Sequence, residues 1–189
     1  KSLNRGIAAA NGAYIARMDA DDISEKNRLD LQIQIMEKGK YDLVGTGKIN
    51  IDEKGNLISG YSGCDVENKK IKSILPYTSC FVHPSVLMRT DVVKRNHGYR
   101  NFRQSQDYDL WLRMLTDGCR FYNVDCPLIR YRVRNGGISA RKPYVQFMTA
   151  QYERNLYKQR DFSNEELSNE IHSLQIEIIQ DSNSNLHHE

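Results

Sequence analysis

Apolar residues recur along the chain at helical and strand-like spacings, and together these predict an alternation of helices and strands. A helix is expected over Leu3 to Ala10, stopping near Asn11-Gly12, and then a short strand over Tyr14 to Met18. The acidic run Asp19-Ala20-Asp21-Asp22 breaks that strand. Ser24 offers an N-cap for a helix from Glu25 to Lys38, where Leu29, Ile33 and Met36 form one apolar stripe ended by Gly39. Tyr41 to Ile51 reads as a strand, closed by a turn at Glu53 to Asn56. Val66 to Leu75 reads as a weaker helix that Pro76 terminates. Beyond it lie a buried strand over Ser85 to Arg89, a short helix over Thr90 to Asn96 and a longer one over Ser105 to Thr116. Arg120 to Val124 and Leu128 to Arg134 read as two further strands.

The pattern divides the chain into a body at 1–142 and a helical extension at 143–189. In the extension, Ser163-Asn164-Glu165-Glu166 is a capping box opening a helix with Leu167, Ile171, Leu174 and Ile178 on one narrow seam. Such a seam serves either packing onto its own domain or association with a partner. The composition of these 189 residues, 39% hydrophobic and 27% charged, supports a globular core and excludes overall disorder. No apolar run approaches the roughly 20 residues of a membrane span, and no leader segment is visible, so a cytoplasmic protein is expected. Position 1 is Lys, and the opening residues read as the middle of a longer chain. Cys64, Cys80, Cys119 and Cys126 lack zinc-ligand spacing and read as reduced thiols.

Charge is uneven, and this changes the picture more than the net +3 does. Seven acidic residues and no Lys or Arg follow Arg160, which leaves 27 basic residues against 17 acidic ones before it. A basic body suits an anionic partner such as a nucleotide diphosphate, a lipid phosphate or a membrane surface. No zinc finger or aromatic-interleaved basic motif points to nucleic acid.

Three segments carry candidate chemistry. Asp19, Asp21 and Asp22 crowd three carboxylates after a strand, a conflict relieved either by Mg²⁺ or Mn²⁺ or by service as a capping turn. Gln106-Asp107-Tyr108-Asp109 opens a helix, where a carboxylate serves either as a cap or as a base facing a cleft. Arg130, Arg132 and Arg134 alternate with apolar residues, which places three guanidiniums on one strand face, either solvated or binding phosphate.

In order, GIAAANGAYIARMDADDIS with Arg28-Leu29, then HPSVLMR, QDYDLWLRM and YRVRNGGIS resemble the family-two glycosyltransferases of the GT-A fold. The resemblance runs from Ser2 to about Ser139. It implies an α/β fold, a Rossmann-like mixed sheet flanked by helices, here partial and followed by C-terminal helices. It also implies transfer of a sugar, with inversion, from a nucleotide diphosphate donor, here a UDP-sugar, to a glycan or lipid-linked acceptor.

Asp19 and Asp21 match the family's Asp-x-Asp motif. Asp21 would bind the divalent cation, Mn²⁺ or Mg²⁺, that holds the donor diphosphate, with Asp19 helping to place ribose or metal. Asp107 matches the catalytic base, and Gln106 stands where relatives often have Glu. Arg134 stands where many have His and would contact the diphosphate directly. His83, Gln106 and Trp111, beside these motifs, are assigned toward the acceptor. The family's front half, with its first strand and base-recognising loop, has no counterpart here, so the first strand is expected to leave an uncovered edge that a homodimer would cover.

The Q-x-x-R-W motif of processive synthases is absent, so a single-sugar transferase of bacterial surface polysaccharide assembly fits. Any membrane contact would be peripheral, through the basic stretch from Arg130 to Arg160. Two other readings stand beside it: a non-catalytic fragment binding partners through the basic strip and terminal helix, and a nucleotidyltransferase.

Overall fold

The central strands alternate their side chains between two apolar layers, and this alternation sets the architecture. The computed structural model describes residues 2–62, 66–102, 104–134 and 143–159. Its first half comprises α1 (Ser2–Ala9), β1 (Tyr14–Ala16), β2 (Ile23–Ser24), α2 (Arg28–Gly39), β3 (Leu43–Ile51) and β4 (Leu57–Ser62). Then come α3 (Asn68–Ile74), a 3-10 turn (His83–Ser85), β5 (Leu87–Arg89), α4 (Thr90–Arg95), α5 (Gln106–Thr116), β6 (Phe121–Arg132) and α6 (Pro143–Gln159).

The sheet runs β1-β5-β3-β6-β2, with β4 paired to β3 off this path. β3 and β6 are parallel, whereas β5 runs antiparallel to both β1 and β3. β1 stands at one end of the order, which is where the sequence leads one to expect an edge. On one sheet face, Leu43, Met88 and Phe121 join Ile71 of α3, Val92 and Val93 of α4, and Leu110, Trp111 and Met114 of α5. Their strand neighbours Val44 and Leu87 turn to the other face and meet Met36 of α2. Full burial of each large apolar side chain contributes roughly 1.5–3 kcal/mol. The helices on the first face therefore hold α5 against the sheet.

The structure adds β4, which the pattern does not predict, and departs from the expected elements in three further places. Ser24 caps no helix; it pairs with Ile129 of β6, and α2 begins later, at Arg28. The inner face of α2 is Arg28, Gln32 and Met36, while Leu29 is 44% exposed. The two polar residues turn inward to donate to main-chain carbonyls of the neighbouring strands and loops. Arg28 Nη2 donates to Arg17 O at 2.9 Å, and Gln32 Nε2 donates to Val44 O at 2.7 Å and Ser85 O at 2.9 Å. The two strands expected around Pro127 are one, because register shifts on either side of Gly47 take up the residue that cannot donate.

Of the helical extension, α6 packs on α5, with Leu156 against Phe102. Glu153 on α6 is buried, and neither of its carboxyl oxygens has a hydrogen-bond partner. Burial, reinforced by Asp109 and Asp107, pushes its pKa well above the ordinary carboxylate value. The seam helix from Ser163 and the residue Cys64 lie outside the described residues. Cys80, Cys119 and Cys126 form no disulfide among the described residues.

Candidate active site

The acidic turn is built by arginines reaching across from β6 and from the end of β1. After Arg17 the chain leaves the sheet, and Asp22 N donates to Asp19 O at 3.3 Å to close the turn. Asp22 is the buried member of the three: its Oδ1 accepts from Arg132 N at 2.9 Å, and its Oδ2 has no partner. Burial raises its pKa, and the nearby Asp19 and Asp21 add to the effect. Arg132 Nε donates to Asp21 O at 2.8 Å, while its Nη1 donates to Asp52 O at 2.7 Å and Glu53 O at 2.8 Å. One guanidinium thus ties the acidic turn to the turn between β3 and β4.

Asp19 and Asp21 are left facing outward. Arg17 Nη2 lies 2.6 Å from Asp19 Oδ1, and Arg134 Nε lies 2.9 Å from Asp21 Oδ2. The second oxygen of each carboxylate remains for a ligand. Two hard oxygens two residues apart suit a Mg²⁺ or Mn²⁺ ion. Among the described residues no third acidic, His or Cys side chain completes a cage, so the protein alone would hold such an ion weakly.

The second half of the site sits at the start of α5. Ser105, just before it, takes a left-handed backbone with φ 59°, which turns the chain sharply into Gln106 and Asp107. Asp107 Oδ2 lies 3.9 Å from His83 Nδ1, and His83 Nε2 lies 3.0 Å from the Tyr99 hydroxyl. Burial pulls the His83 pKa down to about 4, against the opposing pull of Asp107, so the imidazole is neutral at pH 7. Arg17 and Asp19 also act on His83, which puts the acidic turn and the start of α5 in one electrostatic neighbourhood. Gln106 borders a cleft of about 350 Å³ together with Leu3, Asn4, Tyr99, Arg100, Asn101 and Phe102.

Asp109, two residues further on, does a different job. It is 1% exposed, and its carboxylate takes Arg100 on one side and Arg113 on the other, the latter from Nη2 at 2.9 Å and Nε at 3.1 Å. Arg113 also donates to Asn96 O and Gly98 O. This cluster fastens the first turn of α5 to the loop before it and so holds Asp107 in place.

Two expectations change. Trp111 does not face an acceptor: it is fully buried, with its ring edge-on to Phe81 and His83, because one turn beyond Asp107 the helix face has entered the core. Nor do Arg130 and Arg132 of β6, with Arg134 just beyond its end, form a free phosphate-binding stripe. Arg130 Nε pairs with Glu25 at 2.7 Å, Arg132 is spent on backbone carbonyls, and only Arg134 reaches a carboxylate of the turn from an exposed position. Arg17 is a site residue that the pattern did not reveal. Its Nε and Nη1 are buried without partners, and the only signal for it was a cation interrupting the apolar strand YIARM.

Comparison with known proteins gives this geometry a context. The family model described as glycosyl transferase family 2 matches residues 1–125. An O-antigen biosynthesis glycosyltransferase of Escherichia coli, WbnJ, is 35% identical over 163 residues, covering 85% of this chain and 61% of WbnJ. An E. coli UDP-Gal:α-D-GlcNAc-diphosphoundecaprenol β-1,3-galactosyltransferase is 28% identical over 174 residues, covering 85% of this chain and 61% of that one.

The chain spans about half the length of the curated relatives it matches, 61%, 47% and 47% for the first three. Among solved structures, S. aureus TarS 1–349 in complex with UDP-GlcNAc has a TM-score of 0.58 at 15% identity, covering 89% of this chain and 49% of that one. The mannosyltransferase PcManGT from Pyrobaculum calidifontis, in complex with GDP-Man and Mn²⁺, has a TM-score of 0.56 at 13% identity, covering 89% of this chain and 46% of that one. At these identities the likeness shows the fold, the mixed α/β sheet of GT-A transferases.

Proposed function

We infer that this chain, which belongs to glycosyl transferase family 2, works in transferring a sugar from a nucleotide diphosphate donor to an acceptor hydroxyl. The observation that carries the reading is a turn presenting two outward carboxylates, Asp19 and Asp21, in a chain that also sets the Asp107 carboxylate 3.9 Å from the enclosed His83. Asp21 and Asp19 hold a divalent cation, Mn²⁺ or Mg²⁺. When bound, that ion offsets the charge that grows on a departing diphosphate. Arg134, exposed beside Asp21, is free to turn one face of its guanidinium to the diphosphate oxygens.

Asp107 accepts the proton of the acceptor hydroxyl as that oxygen attacks the anomeric carbon. Its carboxylate serves one displacement, so the sugar's anomeric configuration inverts and no covalent glycosyl-enzyme is needed. Gln106, at the rim of the adjoining cleft, orients the acceptor beside the base. The relatives' names favour a UDP-sugar as donor and a glycan or lipid-linked acceptor in bacterial surface polysaccharide assembly. No helix among the described residues is long and apolar enough to cross a membrane. In this reading, work on a lipid-linked acceptor takes place at the cytoplasmic membrane face through peripheral contact.

A panel of UDP- and GDP-sugars with Mn²⁺ tests this. The expected result is release of nucleoside diphosphate from one UDP-sugar, stimulated by a polyprenyl-diphosphate-linked sugar, with NMR showing an inverted anomeric centre in the product. Retention of configuration, or release equal for every nucleotide, would overturn it.

A further inference from the structure

The structure assigns Tyr99 and His83 as a positioning pair that fixes the orientation of the Asp107 carboxylate; this rests on Asp107 being the base. The three groups form a chain. Tyr99 O–H faces His83 Nε2 at 3.0 Å, and His83 Nδ1 faces Asp107 Oδ2 at 3.9 Å. The imidazole is enclosed, with the Tyr99 ring edge-on at 5.5 Å between centroids and Trp111 edge-on at 6.2 Å. It therefore cannot swing to find other partners.

A neutral imidazole carries one N–H, and its position is decided by its neighbours. If Nε2 held the proton, the Nδ1 lone pair would point at an anionic carboxylate. If Nδ1 holds it, an N–H dipole points at Asp107 and the phenol donates to Nε2. The second arrangement satisfies every group in one direction, from Tyr99 O–H to His83 Nε2 and from His83 Nδ1–H toward Asp107. Burial and Asp107 both favour keeping the phenol protonated, which keeps it a donor. At 3.9 Å the last link is longer than a hydrogen bond. It shortens when an acceptor hydroxyl engages the carboxylate, as catalytic contacts do on substrate binding. Trp111 thereby gains a role in the site without touching substrate: it backs the imidazole.

Long-range ¹⁵N–¹H correlation NMR on the His-labelled chain tests this without relying on turnover. The His83 signals, identified by their loss in His83→Asn, are expected to show the Nδ1–H tautomer at pH 7 in the native chain. In Tyr99→Phe the Nε2 signal is expected to move as that atom loses the phenol's hydrogen bond, while Asp107 keeps the proton on Nδ1. The Nε2–H tautomer in the native chain, or no change in Tyr99→Phe while that variant keeps a folded spectrum, would overturn the inference.

Kinetics supply the second arm. His83→Ala lowers kcat by about 100-fold with an unchanged Kd for UDP, the cost of a mis-set reacting group. His83→Asn, whose amide N–H can stand in for Nδ1–H, recovers at least a tenth of native kcat. Equal losses in the two variants would contradict a positioning role. Should Asp107→Asn leave transfer intact, it is the base reading that fails, whereas a wrong tautomer beside a dead Asp107→Asn fails this inference alone.

Discussion

Replacing Asp107 by asparagine lowers kcat for sugar transfer by roughly two to four orders of magnitude, the range that loss of a positioned base produces. The amide keeps the shape of the side chain and its place beside His83 but cannot accept the acceptor's proton. Nucleotide affinity stays within twofold in the expected result, because Asp107 belongs to α5 whereas the proposed diphosphate site is the Asp19–Asp22 turn. A fall in kcat and kcat/KM by the same factor would mark an interaction made only in the transition state. Steady-state kinetics on the variant, with UDP calorimetry alongside, reads both quantities. A loss of less than tenfold would leave Asp107 a capping residue of α5, which is the other reading of a carboxylate in that position.

The second large effect is on stability. Asp109→Ala destabilises the chain by about 3–5 kcal/mol, because it strips the counter-charge from two enclosed guanidiniums. Arg113 is 8% and Arg100 16% exposed at the side chain, so water reaches neither well enough to replace the carboxylate. For a domain of this size that loss lowers Tm by roughly 10 °C. Urea unfolding followed by circular dichroism measures it. A change under 1 kcal/mol would show that the cluster does not anchor α5. Since Arg113 also ties down Asn96 O and Gly98 O, the same variant loosens the loop that carries Tyr99. The neighbouring carboxylates therefore separate by assay: Asp107 governs rate, Asp109 governs stability.

That separation was not legible in the sequence. Q-D-Y-D presents two acids at the start of one helix, and periodicity alone leaves either free to be the base. Burial decides, and burial depends on Arg113 one turn further along the same helix and on Arg100 from the loop before it. The same limit misled the reading of α2. Hydrophobic spacing assigns its inner face to Leu29, Ile33 and Met36, yet Arg28 and Gln32 turn inward to donate to carbonyls at Arg17, Val44 and Ser85. Pattern analysis counts a polar residue as outward and cannot see a distant carbonyl that accepts its hydrogen bond.

Trp111 failed for the opposite reason. It lies four residues after Asp107 and so shares its helix face, but that face enters the core within one turn. What the sequence did carry was most of the helices, the strands β1, β3 and β5, and the acidic turn after β1, but not β2, β4 or the continuity of β6. These rest on local chemistry, in apolar alternation and in the crowding of carboxylates where a strand ends. The partners of that turn, Arg17, Arg132 and Arg134, come from β1's end and from more than a hundred residues away. Only Arg134 was placed there by resemblance, and Arg17 was missed.

In the proposed function the Asp19–Asp22 turn holds a nucleotide diphosphate through a divalent cation. Calorimetric titration of UDP into this chain, with and without Mn²⁺ and repeated on Asp21→Ala, tests it most directly. The predicted result is binding that requires Mn²⁺ and is lost in Asp21→Ala, while circular dichroism shows the variant folded. UDP binding of equal strength with and without the metal, or unchanged in Asp21→Ala, would contradict it.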